Sequence, residues 1–150
     1  MRALLLAVLS VGIVGRQAGA QASDATPSGV MRPQLAWQHW VLNCQGCHRA
    51  DGTGSQGTAP SLAGMVARFV TVPGGREYLG RVPGVATAAL SDADLAELLN
   101  WTLWRFDRSH LSEKFRPYTA AELSVLRRRP LRTEASRVRA TLVRRFPGKP

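Results

Sequence analysis

Two cysteines and a histidine in the run CQGCH, residues 44 to 48, carry the strongest chemical signal of the sequence. Two residues separate Cys44 from Cys47, so both thiols can lie within one helical turn and reach the two vinyl groups of one haem. His48 follows the second thiol directly, where its imidazole would lie beneath the iron. We therefore predict one covalently bound haem c, attached through Cys44 and Cys47, with His48 as the proximal axial ligand.

Three alternative assignments of this motif need features that the sequence does not offer. A thioredoxin-type CxxC requires a surrounding βαβ pattern, and no strand pattern flanks Cys44. A zinc site requires four ligands, and beyond the motif only His39 and His110 remain. A local disulfide would leave His48 without a role. Since the chain has only these two cysteines, no long-range disulfide framework is expected either.

The elements that would position this motif are predicted to be helices joined by long loops. Apolar residues recur at three- and four-residue spacing from Pro33 to Cys44, which predicts a first helix ending at the cysteines. Residues 49 to 64 are dominated by Gly, Ser, Thr and Pro, so a loop that wraps the cofactor is expected. Short helical segments are predicted at residues 65–70 and 76–81, before Val82, Pro83 and Gly84 break the chain.

Two capping boxes mark the start of later helices. Ser91 and Asp94 begin a helix that runs to about Phe106, with an apolar stripe that should press on the first helix and the haem. Thr119 and Glu122 begin another helix, which Pro130 should end. A last basic helix from about residue 133 is expected to dock its apolar side on the body while its arginines face water.

The N-terminal segment is typical of an export signal. Residues 4 to 14 are almost wholly apolar, shorter than the roughly 20 residues that a membrane-spanning helix needs. An A-x-A pattern precedes Ser23, so residues 1 to 22 are predicted to be a signal peptide, with an uncleaved anchor as the alternative. Residues 23 to 33 should form a flexible lead-in. The mature protein is therefore expected in the periplasm.

The positive charge is concentrated in the C-terminal part of the chain. The net charge is +10, and residues 111 to 150 hold eleven Lys or Arg against three Glu, whereas residues 23 to 110 hold seven Arg against seven acids. Export makes nucleic acid an unsuitable partner, so we expect an acidic surface on a redox partner protein, or peripheral contact with an anionic membrane. A merely solvated helical hairpin is the alternative.

Three stretches of the chain, CQGCHRADGTGS, APSLAG and LSDADLAELLNW, resemble the monohaem class I c-type cytochromes of bacteria. The resemblance covers about residues 35 to 106 and implies an all-α fold: a small helical domain wrapped round one covalent haem. It also implies that the carbonyl of Pro60 meets the proximal imidazole and that Leu62 packs on the haem. Residues 34 to 110 would form the cytochrome domain, and residues 111 to 150 a basic helical C-terminal extension without a counterpart in the minimal fold.

The sequence departs from that family where the sixth iron ligand is expected. Family members usually carry a Met, often followed by Pro, shortly before the last helix, but Val82 and Pro83 stand here. Met65 is the first substitute and His110 the second. The weaker candidates are His39 and Tyr78. Without any of these, the iron would be five-coordinate or bound by water.

Three functions remain compatible with these observations. The first is a non-enzymatic electron carrier, taking electrons from a periplasmic dehydrogenase to a respiratory acceptor, with no small-molecule substrate identified. The second is a peroxidase-like or gas-binding haem protein with an open distal site, where Arg76 or Arg81 would stabilise a bound ligand. The third is a cytochrome subunit of a dehydrogenase complex, tethered through the basic extension.

Overall fold

The structure, a computed structural model, describes residues 27–148. The predicted signal peptide and the first residues of the lead-in lie outside the described residues. Between residues 27 and 148 the chain forms helices and loops without a strand, which agrees with the predicted all-α class. The α-helices are α1 (Pro33–Asn43), α2 (Gln45–His48), α3 (Gly75–Arg81), α4 (Pro83–Ala86), α5 (Asp92–Asp107), α6 (Ala120–Leu126) and α7 (Ala135–Val143). Two 3₁₀ turns lie at Ala67–Thr71 and Arg108–His110.

Helix α5 is the central element of the fold. The Ser91 hydroxyl accepts a hydrogen bond from the backbone amide of Asp94 at 3.1 Å, so the predicted N-cap is confirmed, while the Asp94 carboxylate accepts from the Ser91 hydroxyl at 2.6 Å. The helix buries its apolar stripe against α1, where Trp40 is 1% exposed. The buried apolar residues of α5 are Leu95, Ala96, Leu98, Leu99, Trp101, Leu103 and Phe106.

An ion-pair cluster fixes the start of α1 on α5. The guanidinium of Arg32 contacts Asp94 at 2.8 Å and Glu97 at 3.0 Å. The backbone amide of Arg32 also donates to the Glu97 carboxylate at 3.0 Å. Such partly exposed pairs contribute only about 0–1 kcal/mol each, so their main effect is to align the two helices while burial supplies most of the stability.

The basic C-terminal extension is packed into the same hydrophobic core as the rest of the chain. Helix α6 begins as predicted, since the Thr119 hydroxyl accepts from the Glu122 amide at 3.2 Å. Buried Asn100 of α5 accepts from the Tyr118 amide at 2.8 Å and donates to the Tyr118 carbonyl at 3.1 Å. The division at residue 110 stays a prediction, but the packing is continuous across it. Buried apolar side chains beyond that residue are Tyr118, Leu123, Leu131, Leu142 and Phe146.

Arg127 of the extension points inward, contrary to the expectation that the arginines of this segment face water. The Arg127 guanidinium donates to the carbonyls of Ala86, Ala88 and Leu90, and it contacts the Asp92 carboxylate at 3.0 Å. These bonds satisfy carbonyl groups at the end of α4 and in the turn before α5. Arg127 therefore anchors the extension to the chain segment that follows Val82.

A second correction concerns this segment, where the sequence predicted only a chain break. Pro83 instead begins the four-residue helix α4, in line with the preference of proline for the first helical turn. The amide of Ala86 donates to the Val82 carbonyl at 2.9 Å. No helix between residues 27 and 148 is long and apolar enough to cross a membrane.

Candidate functional site

The CQGCH motif lies on a single short turn at the end of α1. The Cys44 amide donates to the Trp40 carbonyl at 2.9 Å, which ends α1, and the His48 amide donates to the Cys44 carbonyl at 2.9 Å, which closes α2. No disulfide joins Cys44 and Cys47. Both of them and His48 line one cavity. The structure thus brings the three residues predicted to hold the haem to the same wall.

The loop that follows the motif returns to the imidazole, as the resemblance to class I cytochromes implied. The Pro60 carbonyl accepts a hydrogen bond from Nδ1 of His48 at 3.1 Å. Because a carbonyl can only accept, Nδ1 carries the proton and Nε2 keeps its lone pair for a metal. Gly54 has a φ of 80°, and a Cβ there would collide with the Ala59 carbonyl oxygen. Only glycine therefore fits this turn, which holds Pro60 in place.

The local environment keeps His48 and Cys44 neutral. Burial lowers the pKa of His48, although the Pro60 carbonyl partly offsets this, so the neutral imidazole that binds metal is favoured. Burial raises the pKa of the Cys44 thiol to about 11, with a smaller contribution from Cys47. In the protein without haem, Cys44 is therefore a protonated thiol near neutral pH.

The cavity next to the motif has a volume of about 490 Å³. This lies within the range of roughly 300–1,000 Å³ that is usual for small-molecule and cofactor sites. Its wall is mostly apolar and includes the predicted haem-packing residues Pro60 and Leu62. Further apolar lining comes from Phe69, Leu79, Val82, Val85, Leu95 and Leu98.

One buried polar atom on the cavity-lining side chains has no partner. Trp40 is 1% exposed, and its Nε1 makes no hydrogen bond with any described residue. Its ring lies 6.2 Å from the His48 ring, between centroids. Of the four tryptophans, all of which lie among the described residues, Trp40 alone lines the cavity. Trp101 packs on the Trp40 ring at 6.0 Å.

The candidates for a sixth iron ligand are distributed unevenly. Val82 and Pro83 line the cavity, and so does Tyr78, whose pKa is raised by burial. Met65 packs against the hydrophobic core and is absent from the cavity wall. His39 and His110 are not part of the cavity wall either.

Helix α7 and the turn before it supply a part of the cavity wall that the sequence reasoning missed. Arg132, Ala135, Ser136 and Arg139 all line the cavity. Ala135, Ser136 and Arg139 have the spacing of one face of α7, so this part of the signal was present in the sequence, whereas Arg132 lies before the helix begins. It was overlooked because the basic residues of this segment were assigned to solvent.

The two arginines proposed to stabilise a bound ligand are engaged elsewhere. Arg76 contacts the Glu122 carboxylate at 2.5 Å and donates to the Arg116 and Pro117 carbonyls. Arg81 donates to the Arg129 carbonyl at 2.7 Å. Neither lines the cavity, so that assignment is wrong.

Among residues 27–148, no group of three or more His, Cys, Asp or Glu side chains is placed to bind a metal ion directly. The zinc alternative for the motif therefore gains no support from the described part of the chain. A single imidazole next to two thiols and an apolar cavity instead suits an iron held mainly by an organic ring.

Sequence comparison finds two cytochromes among the relatives of this chain, in agreement with a site that suits haem iron. The chain is 34% identical over 106 residues to cytochrome c-552 of Thermus thermophilus, covering 59% of this chain and 81% of that protein. It is likewise 34% identical over 106 residues to cytochrome c-552 from a designated strain of the same organism, covering 59% of this chain and 72% of that protein. No family model matches the chain, and no solved structure matches it.

Proposed function

Because the chain belongs to the c-type cytochromes, which are haem-based electron-transfer proteins and not enzymes, we propose that it is a periplasmic carrier with one covalent haem c. The observation that carries this proposal is the single cavity wall formed by Cys44, Cys47 and His48, with the imidazole held by the Pro60 carbonyl. Electrons would pass from a dehydrogenase to a respiratory acceptor.

The residues present fit such a group. Each thiol would add its sulfur and its hydrogen across one vinyl group, so that Cys44 and Cys47 become thioethers without loss of atoms. Nε2 of His48 would bind the iron, and Leu62 would pack on the ring. The bound iron supplies one-electron chemistry by cycling between its ferric and ferrous states.

Two guanidinium groups on the cavity wall match the charge of the proposed guest. Arg132 and Arg139 make no ion pair with any described acidic side chain. A haem carries two propionates, whose burial in an apolar cavity is costly without cationic partners. We therefore assign both arginines to the propionate edge of the haem.

Replacing one of these arginines should lower the reduction potential. In Arg139→Gln the lost positive charge no longer disfavours ferric iron, and a shift of roughly 10–40 mV to lower potential is expected for a partly exposed charge. Spectroelectrochemical titration measures it directly. Arg137→Gln is the matched control because Arg137 is exposed on the same helix and lies off the cavity wall. Equal potentials for the two variants would contradict the assignment.

The remaining positive charge is suited to steer an acidic redox partner. Several arginines of the extension are exposed, among them Arg128 and Arg137. Attraction between opposite charges raises the association rate most at low ionic strength, where screening is weak. Peripheral contact with an anionic membrane would use the same positive charge. An experiment with a soluble acidic donor protein and no lipid tests protein docking alone.

The salt dependence of electron transfer tests this docking surface. Reduction by an acidic donor protein should slow as ionic strength rises, and Arg128→Gln/Arg137→Gln should slow it several-fold at low salt. Stopped-flow absorbance gives the second-order rate constant. Arg105→Gln/Arg108→Gln removes the same number of exposed charges from the cytochrome domain and serves as the control. If the rate constant at low salt fell equally in both double variants, the extension would be an ordinary solvated surface and not a docking site.

An exposed apolar patch favours one second candidate, a cytochrome subunit of a dehydrogenase complex. Trp37 is 53%, Val41 is 37% and Leu42 is 79% exposed on α1, directly before the haem-attachment motif, and Trp37 and Val41 lie four residues apart on one helix face. Exposed apolar clusters of this kind mark protein contacts more often than scattered single residues do. Co-purification of a dehydrogenase with the wild type, lost on Trp37→Ser/Leu42→Ser, would favour the subunit over the free carrier.

A further inference from the structure

This chain has few methionine and histidine side chains, and their positions decide which of them could be the sixth ligand of the iron. The sequence has three methionines and three histidines. Met1 lies outside the described residues, and Met31 is 83% exposed. Met65 packs on the core and is not part of the cavity wall. Among residues 27–148, His48 is thus the single methionine or histidine side chain on the cavity wall.

His110 is held in place by a buried partner. Its Nδ1 lies 2.5 Å from the carboxylate of Asp107, whose side chain is 0% exposed. The other oxygen of that carboxylate accepts from the Ala67 amide at 2.8 Å. Moving His110 to the cavity would leave a buried carboxylate without this partner, which is costly. His110 is therefore unsuited to swing back as a ligand.

Residues 82–88, which lie where the family usually carries its methionine ligand, are apolar and are held by hydrogen bonds at both ends. Val82, Pro83, Val85 and Ala88 present only carbon to the cavity from their side chains. The Val82 amide donates to the Tyr78 carbonyl at 3.0 Å, and the Arg127 guanidinium binds carbonyls at the far end of the segment. Hydrogen bonds at both ends hold this wall where it is, so it cannot readily exchange for another ligand-bearing loop.

We infer that this chain supplies neither a thioether nor a second imidazole to the haem iron, and that the wall of residues 82–88 leaves a position for a small neutral ligand such as carbon monoxide or nitric oxide. The inference rests on the proposed covalent haem. An apolar wall favours an uncharged diatomic molecule over an anion, because an anion would lose its hydration without gaining a partner.

Tyr78 is the remaining side chain on the wall with an oxygen donor suited to iron. Burial raises the pKa of its phenol, so the neutral form is favoured. Tyr78 also stacks on Phe69, with ring centroids 5.0 Å apart, which fixes the ring against the core. A neutral phenol can donate a hydrogen bond toward a bound ligand but is a weak ligand itself.

Carbon monoxide titration of the matured protein tests the inference. The ferrous wild type should bind one carbon monoxide per haem, with a large change in the Soret band. Met65→Leu and His110→Ala should keep that affinity within about two-fold, and Tyr78→Phe should leave the ferric spectrum unchanged. The pyridine haemochrome assay on the same samples reports covalent haem independently of the sixth position.

The outcomes separate the two proposals. Protein without covalent haem would overturn the proposed function itself. Protein with covalent haem that ignores carbon monoxide and shows the far-red charge-transfer band of thioether ligation would overturn only this inference. The same holds if Met65→Leu or His110→Ala gains carbon monoxide binding, or if Tyr78→Phe loses a phenolate band.

Discussion

Replacing both Cys44 and Cys47 with serine is expected to abolish stable haem incorporation. Without thioethers, only the His48 ligand and packing would retain the cofactor. The empty cavity of about 490 Å³ would then be a large defect. Loss of the haem would expose the mostly apolar lining of this cavity to water, which lowers the marginal stability of a small domain. The variant should therefore accumulate as unfolded or degraded protein.

Two measurements check this expectation. Haem staining after denaturing electrophoresis reports covalent attachment, and circular dichroism reports the fold of whatever protein remains. Ser136→Ala is the control because Ser136 lines the same cavity without a predicted bond to the haem, and its haem content should equal that of the wild type. A normal yield of covalently loaded protein from the double serine variant would end the haem c assignment.

Features set by short stretches of sequence were predictable. Both predicted N-caps, Ser91 and Thr119, begin their helices as the local pattern indicated, because a Ser or Thr hydroxyl satisfies an amide only three residues away. The placement of Cys44, Cys47 and His48 on one turn likewise follows from their spacing within a helix. Such contacts involve few residues, so no tertiary context is needed to anticipate them.

Features that depend on distant partners were missed. Arg127 looked like part of a solvated charge run, yet it binds carbonyls at the end of α4 and in the turn after it, about forty positions earlier in the chain. The same applies to Arg139, whose place on the cavity wall depends on how α7 docks against α3. Long side chains such as arginine can point to solvent or to a buried carbonyl, and the residue type alone does not decide between them.

Helix α6 shows how the extension contributes to the site. Its Leu123 is 0% exposed and belongs to the core that α1, α3 and α5 share. Gly80 of α3 lies so close to α6 that a Cβ there would be 2.6 Å from Cδ1 of Leu126. Arg127, which binds the segment after Val82, follows α6 directly, and α7, the next helix, lines the cavity. Loosening α6 should therefore both destabilise the fold and disturb the haem environment.

Leu123→Ala should accordingly lower the free energy of unfolding by about 2–5 kcal/mol, the range for truncating a fully buried leucine. Denaturant titration of the haem-loaded protein, followed by circular dichroism, measures the loss. Val125→Ala is the matched control, since Val125 lies on the same helix but is 65% exposed and should cost less than about 0.5 kcal/mol. If both variants unfolded at the wild-type midpoint, residues 111–148 would be an independent appendage. A selective loss in Leu123→Ala would instead mean that the extension and the haem cavity share one core, so the basic residues near the haem are positioned by the fold.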